Sequence, residues 1–253
     1  MQILNNVFEE SHASRFERDS YLYLPSVKQA YSEVKSHPEF DNLLHNFAEF
    51  VLHEGLGDKF GLFLLHRHFL PAEGTQPIER IMKWGLAQET SLVTQMISDV
   101  DIDCAPSRWK YDVTLNRFVA LEFSCDSKVK EAWSFLQSQS DLMHKIAKIL
   151  LESGLYTHLG FTTADREILP KNSNKCLIES SDRESNASIV QVKEKPNFRS
   201  DTLIPTVWVP IKSCWCEEKY ECHQWCWGYG SDTDCANVEH ERFVEGHDRV
   251  PCM

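Results

Sequence analysis

With 253 residues, of which 42% are apolar and 25% charged, the chain has the length and composition of an ordinary globular protein with a sizeable core. Its formal net charge of -12 and pI of about 5.4 repel phosphate backbones and anionic lipids, and no basic patch offsets this charge. We therefore expect neither nucleic acid nor a membrane surface among its partners.

Cellular location is predicted from targeting signals and cysteine usage. The N-terminal stretch MQILNNVFEESHASRFERDS lacks the basic start and the continuous apolar run of a secretory signal. No stretch approaches the ~18 to 20 uninterrupted apolar residues that a membrane helix needs. We expect an intracellular, cytoplasmic protein whose thiols are kept reduced. The nine cysteines, an odd number, also fit poorly with a fully paired disulfide framework.

Helical periodicity is clearest in residues 37–56, where apolar side chains recur three and four positions apart. A shorter amphipathic pattern predicts a preceding helix over residues 25–34. Helical character returns in residues 127–154, with a break around residues 137–140 and Gly154 as the stop.

Short apolar runs bounded by turn residues predict strands. These runs cover residues 60–69, 155–162, 187–192 and 203–209, with a hairpin over residues 108–124 and an ambiguous extended or helical run over 78–100. Because helices and strands mix without regular alternation, the predicted fold class is α+β. It comprises a helical N-terminal region, a mixed or antiparallel sheet with helices packed on one face, and a cysteine-rich C-terminal tail. The predicted domains are a main domain (1–210), with a mobile polar loop or hairpin tip near 171–186, and the tail (211–253).

Three motifs in the main domain carry a resemblance. They are LFLLHRHFLPAEG at residues 62–74, APSRW at residues 105–109 and VALEF at residues 119–123. Together, over roughly residues 38–165, they resemble a family of uncharacterised proteins from filamentous fungi. The resemblance implies a fungal source and an association with secondary-metabolite genes, and it supplies no activity and no catalytic residue.

The tail segment from Ser213 to Cys235 holds five of the nine cysteines. A tetrahedral zinc site needs four thiolate or imidazole ligands, and closely spaced ligands favour its assembly. The predicted ligands are drawn from Cys214, Cys216, Cys222, Cys226, Cys235 and His240. A small segment with so little aliphatic content needs such a crosslink to order it. Structural zinc is therefore the predicted cofactor.

Two other interpretations of the tail cysteines stay open. Cys214 or Cys216 can pair with Cys222 or Cys226 in a disulfide, and free cysteines are often simply small buried apolar residues. A redox role for Cys222 and Cys226 is weaker, because three residues separate them where C-x-x-C has two.

His66 and His68 lie two positions apart, so on a strand both imidazoles project from one face. Glu73 follows after a short bend and can bring a carboxylate to the same centre. The resulting H-x-H-x4-E pattern is similar to half of the first cupin motif, although no second motif follows and the helical N-terminus fits a cupin barrel badly. The alternative is that both histidines make structural hydrogen bonds at the end of a buried strand.

Glu122 is the third candidate catalytic residue beside His66 and His68. Strict alternation places it on the same strand face as Ala120, where a buried carboxylate needs a partner. Pairing with an imidazole of the histidine strand would make a general acid–base unit near neutral pH. Pairing with Arg67 or Arg108 would make Glu122 part of the scaffold.

The sequence supports two functional hypotheses and leaves open whether the protein is an enzyme. The first is an intracellular binding or accessory protein with a zinc-stabilised C-terminal module, whose partner is a protein or a small molecule. The second is an enzyme of small-molecule, secondary-metabolite biosynthesis that uses a His66/His68/Glu122 pocket. A redox-sensing role rests on the tail cysteines alone and ranks below both.

Overall fold

The computed structural model describes residues 14–57, 59–84, 89–98, 102–167, 175–182, 185–194 and 203–210, together with the backbone of 220–227. Within these residues the chain forms five helices and ten strands. No helix in this described part combines the length and the apolar character that crossing a bilayer requires.

The helices are α1 (Arg18–Leu22), α2 (Val27–Lys35), α3 (Phe40–His53), α4 (Ser127–Ser138) and α5 (Ser140–Ser153). Side chains cap two of them, because Ser26 accepts a hydrogen bond from the amide of Gln29 and Asp126 accepts one from the amide of Lys128. At the end of α5, Gly154 adopts the left-handed conformation, with φ of 73°. These elements confirm the predicted helices, including the break between the last two.

The strands are β1 (Phe60–Leu64), β2 (Gln76–Trp84), β3 (Glu89–Ile97), β4 (Ala105–Asp112), β5 (Arg117–Ser124), β6 (Leu159–Thr163), β7 (Lys175–Asp182), β8 (Ala187–Glu194), β9 (Leu203–Pro210) and β10 (Tyr220–Trp227). They close into a barrel in the order β1-β6-β4-β5-β2-β3-β8-β7-β10-β9, and β9 pairs with β1. The pairs β2–β5 and β7–β10 are parallel, whereas the others are antiparallel. The predicted α+β class with a mixed sheet is confirmed.

Side chains of the barrel alternate between the helices and the barrel interior. Leu62 and Leu64 of β1 join a large core that they share with α2, α3, α4 and α5. Phe63, between them, joins a separate inner cluster with Leu121 of β5. Tyr21 of α1 is fully buried in the same inner cluster, so α1 is tied to the interior of the barrel.

A bulge in the β4–β5 hairpin directs Glu122 into the interior. Arg108 opposes Glu122, and the next residue of β4 opposes Ala120, so Leu121 is the extra residue on β5. Ala120 and Phe123 both lie in the helix-side core, whereas Leu121 lies in the inner cluster. The hairpin itself is confirmed, but the expectation that Glu122 shares a face with Ala120 is wrong, because the bulge interrupts the alternation.

The polar stretch near 171–186, predicted to be a mobile loop, contains strand β7. This strand runs antiparallel to β8, with Ser181 opposite Ser188. Glu179 and Ser181 are only 1% and 6% exposed, so their polarity marks a polar barrel interior rather than solvent. The prediction of a mobile loop is therefore wrong for β7, whose pairing with β8 fits the hairpin alternative, while residues 171–174 and 183–184 lie outside the described residues.

Cys104 and Cys125 form a disulfide bond at the open end of the β4–β5 hairpin. Cys104 precedes β4 and Cys125 follows β5, and the pairing of Ala105 with Ser124 brings them opposite each other. The expectation of reduced cysteines does not hold for this pair. The register of β4 against β5 brings Cys104 and Cys125 together. That register cannot be predicted from two cysteines that lie 21 positions apart in the sequence.

Candidate metal centre in the barrel interior

The two candidate histidines lie just beyond β1, which ends at Leu64, earlier than predicted. The chain bends there towards α1, because the guanidinium of Arg67 donates a 2.7 Å hydrogen bond to the carbonyl oxygen of Leu22. The imidazoles of His66 and His68 nevertheless lie side by side, with ring centroids 4.5 Å apart in an edge-to-face arrangement. The two imidazoles are therefore adjacent, as predicted, although His66 and His68 do not lie on a strand.

The carboxylate beside these imidazoles belongs to Glu179 of β7. Its Oε1 lies 3.1 Å from Nε2 of His68, and one donor atom each of His66, His68 and Glu179 lies within 4.8 Å of the others. The three side chains are almost completely buried, with exposures of 3%, 4% and 1%. Glu73, the carboxylate expected from the sequence, is exposed, so that expectation is wrong.

Two serines and a tyrosine support this triad. Ser181 Oγ lies 3.1 Å from Nδ1 of His68, with which it shares a hydrogen bond. Ser188 Oγ donates a 2.5 Å hydrogen bond to Oε1 of Glu179. The backbone amide of His68 donates to the hydroxyl of Tyr21 at 3.5 Å. Contacts of this kind orient the imidazole and the carboxylate.

His66 directs an unprotonated nitrogen into the site. Its Nδ1 lies 2.7 Å from the carbonyl oxygen of Leu64, which can only accept, so Nδ1 carries the proton and Nε2 carries a lone pair. Within the part of the chain that the structure describes, Nε2 has no hydrogen-bond partner. Burial, helped by repulsion from His68, lowers the pKa of His66 to about 3. His66 is thus a neutral imidazole whose Nε2 lone pair can bind a metal ion.

Glu179 is held as a carboxylate. Burial by itself would raise its pKa, but attraction to His68, a hydrogen bond with His68 and the charge of Arg108 hold the pKa of Glu179 well below its usual value. The site therefore combines a neutral nitrogen donor with an oxygen donor that is ionised at neutral pH.

Glu122 lies in the same interior, where it pairs with Arg108. Nη1 of Arg108 lies 3.3 and 3.2 Å from the two carboxylate oxygens, and the guanidinium carbon lies 5.4 Å from the ring centroid of Phe63. Burial raises the pKa of Glu122, and the charge of Arg108 opposes that rise. By the criterion drawn from the sequence, pairing with an arginine makes Glu122 part of the scaffold rather than an acid–base partner of the imidazoles.

Comparison with protein-family models, curated proteins and solved structures finds no match. A barrel fold on its own does not define an activity. Function therefore has to be inferred from the geometry and chemistry of the buried triad.

Most of the predicted zinc ligands of the tail lie outside the described residues, namely Cys214, Cys216, Cys235 and His240. Cys222 and Cys226 lie on β10, whose backbone pairs with β9 and β7. A regular strand would separate their Cα atoms by roughly 13 Å. For both cysteines to bind one ion, β10 would have to bend between them. The pairing of β10 with β9 does shift register between these two cysteines. The tail zinc site stays a prediction.

Glu179 and Ser181 were not predicted as site residues, although a signal for their strand was present. The apolar run Cys176–Ile178 directly precedes Glu179, and on a strand Leu177 and Glu179 share one face while Cys176 and Ile178 share the other. A strand was already predicted to follow at residues 187–192, after a short turn-forming stretch. That combination is typical of a β-hairpin.

Proposed function

We propose that the barrel interior binds one divalent first-row transition-metal ion through Nε2 of His66, Nε2 of His68 and the carboxylate of Glu179. Two imidazoles and a carboxylate form a donor set that suits ions from Fe2+ to Zn2+. Nε2 of His66, which has no hydrogen-bond partner among the residues that the structure describes, carries the proposal, because a buried lone pair without a partner is costly unless a cation or a donor takes it up.

The distances support a single ion. Such ligands lie about 2.0–2.2 Å from the metal, so the 3.1 Å between His68 Nε2 and Glu179 Oε1 suits adjacent positions on one ion. The widest donor separation, within 4.8 Å, has to shorten by roughly 1.5 Å at most to reach a tetrahedral spacing. The Nδ1 atoms of both histidines face oxygen atoms, those of Leu64 and Ser181, as is usual for metal-binding imidazoles.

Three protein ligands are found among the described residues, and that number favours a catalytic over a structural metal site. Structural zinc sites use four protein ligands, whereas catalytic sites keep a position for water or substrate. We therefore favour the second hypothesis, an enzyme of small-molecule metabolism, with the triad in place of the His66/His68/Glu122 set. A role in fungal secondary metabolism, which rests on the sequence resemblance alone, belongs to the same proposal.

Substitution of a triad residue is expected to remove the metal. The full-length protein, stripped with a chelator, is titrated with Co2+ and followed by the visible absorption of the bound ion. We expect His66→Ala and Glu179→Gln to lower the Co2+ affinity by about 100-fold or more, since loss of a supporting residue alone already costs about 10- to 100-fold.

Two exposed residues of the same types provide matched controls. His53→Ala and Glu152→Gln are expected to bind Co2+ as the unsubstituted protein does, because both side chains lie on the surface of helices. Circular dichroism checks that all four variants are folded. An unchanged Co2+ affinity in folded His66→Ala would contradict the proposed site.

We also propose, from the sequence pattern, that the tail cysteines, unlike Cys104 and Cys125, stay reduced inside the cell and bind a structural zinc ion. In Glu179→Gln, where the barrel site is disabled, protein purified without added metal should still carry zinc, and the further change Cys216→Ser/Cys226→Ser should remove it. Elemental analysis measures the zinc, and thiol titration measures the reduced cysteines. Tail cysteines that are oxidised in metal-free protein would rule this site out.

A further inference from the structure

The Cys104–Cys125 disulfide lies where β4, β5 and α4 meet. Cys104 directly precedes β4, and Cys125 lies between the end of β5 and Asp126, the residue that caps α4. Both cysteines are partly exposed, whereas Cys176 of β7 is buried. Access from solvent is a condition for thiol–disulfide exchange, so among the cysteines whose side chains the structure describes this pair is the candidate for it.

Contacts other than the disulfide also hold its two ends in place. The amide of Cys125 donates a 3.0 Å hydrogen bond to the carbonyl oxygen of Glu79 on β2. On the other side, Asp103 precedes Cys104, and its carboxylate lies 2.6 Å from the amino group of Lys130 on α4. The paired strands β4 and β5 join the two sides. Reduction therefore leaves two adjacent thiols in a folded chain, and the same bond can form again.

The disulfide is also coupled to buried polar contacts around the start of α4. Glu79, whose carbonyl oxygen accepts from Cys125, holds Arg166 through its carboxylate at 2.7 Å. The amide of the next residue, Glu167, donates a 3.0 Å hydrogen bond to Asp126, which follows Cys125 in the chain. These contacts close a ring that connects β2, β5, α4 and the segment after β6. Breaking the disulfide removes a covalent constraint on Cys125, so we expect the first turn of α4 to loosen before the rest of the fold.

Disulfides in a reducing cell are usually transient, and exposed ones are reduced more readily than buried structural ones. We propose that Cys104 and Cys125 form a reversible thiol–disulfide switch that couples the stability of the junction between α4 and the barrel to the thiol redox state of the cell. A glutathione thiolate attacks one sulfur, which forms a mixed disulfide and releases the other cysteine as a thiolate. A second glutathione thiolate displaces the first as glutathione disulfide, and the two protons that the glutathione thiols lost pass to the cysteines. This switch needs the intracellular location proposed above but no metal in the triad.

Glutathione tests the switch on the folded, full-length protein, which is incubated at pH 7 with EDTA and an excess of reduced over oxidised glutathione and then alkylated. Mass spectrometry of the peptides that carry Cys104 and Cys125 is expected to show both thiols in most molecules, and oxidised glutathione should restore the bond. The melting temperature should fall by about 5–10 °C on reduction, because the bond closes a loop between residues 21 positions apart. Hydrogen exchange should become faster by about tenfold or more at the amides of Cys125 and Lys128, and stay unchanged in α2.

Two variants serve as controls. Cys104→Ser/Cys125→Ser should have the lower melting temperature without reductant and should not respond to glutathione, whereas Cys176→Ser should respond as the unsubstituted protein does. A bond that resists glutathione in the folded protein and is reduced only in urea is a structural disulfide and overturns the switch. Thiols that oxidised glutathione does not join, or a reduction that changes neither melting temperature nor exchange, overturn it too. If the double variant does not fold, the results on the unsubstituted protein still decide, and none of them bears on Co2+ binding at the triad.

Discussion

Arg108→Met is expected to lower the free energy of unfolding of the metal-free protein by about 3–5 kcal/mol. The substitution leaves the carboxylate of Glu122, which is only 4% exposed, without the guanidinium that balances its charge. Arg108 lies directly opposite Glu122 in the register of the β4–β5 hairpin, which fixes the guanidinium beside the carboxylate. The measurement is urea denaturation at pH 7 in the presence of EDTA.

A second substitution tests whether the unpaired charge is the cause. Arg108→Met/Glu122→Met removes both charges, and we expect it to recover most of the lost stability, because buried pairs are often replaced by apolar residues at little cost. Lys148→Met breaks an exposed pair with Glu152 and should cost at most about 1 kcal/mol. An Arg108→Met variant no less stable than Lys148→Met would show that the buried pair does not matter for folding.

The metal-free protein is also expected to lose stability as the pH falls below about 6.5, the ordinary pKa of histidine. The folded-state pKa of His66 is lowered to about 3, so between these two values the unfolded chain binds a proton that the folded chain does not. Acid therefore favours unfolding, with a slope of at most about 1.4 kcal/mol per pH unit. From pH 7 to pH 4.5 we expect a loss of about 2.5 kcal/mol from His66 alone.

His66→Asn tests this pH dependence, because the asparagine amide can still donate a hydrogen bond to the carbonyl oxygen of Leu64 and does not titrate. Urea denaturation of both proteins with EDTA, at intervals between pH 7 and pH 4.5, should give a flatter curve for the variant. Glu179 contributes little to the change between pH 7 and pH 4.5. The stability that its lowered pKa provides is lost mainly below the ordinary carboxyl pKa of about 4.3. Parallel curves for the two proteins would contradict the low pKa of His66.

Local patterns in the sequence were enough to predict the helices and the β4–β5 hairpin. A helix buries one stripe of its own surface, so its apolar residues recur at a spacing that is visible within one segment. The same reasoning placed His66 and His68 next to each other, because two residues that close in the chain cannot move far apart. Alternation failed at Glu122, where a bulge inserts one residue and changes the face to which the carboxylate points.

The sequence by itself therefore determined the α+β class, the predicted helices and the pair of imidazoles. Only the tertiary structure decided that Glu179 completes the site and that Arg108 pairs with Glu122, because strand order and register bring distant residues together. His68 and Ser181, 113 positions apart, share a hydrogen bond because both reach the same barrel interior. The part of that interior beside β7 is polar, so β7 looks like a solvent-exposed loop when its sequence is considered alone.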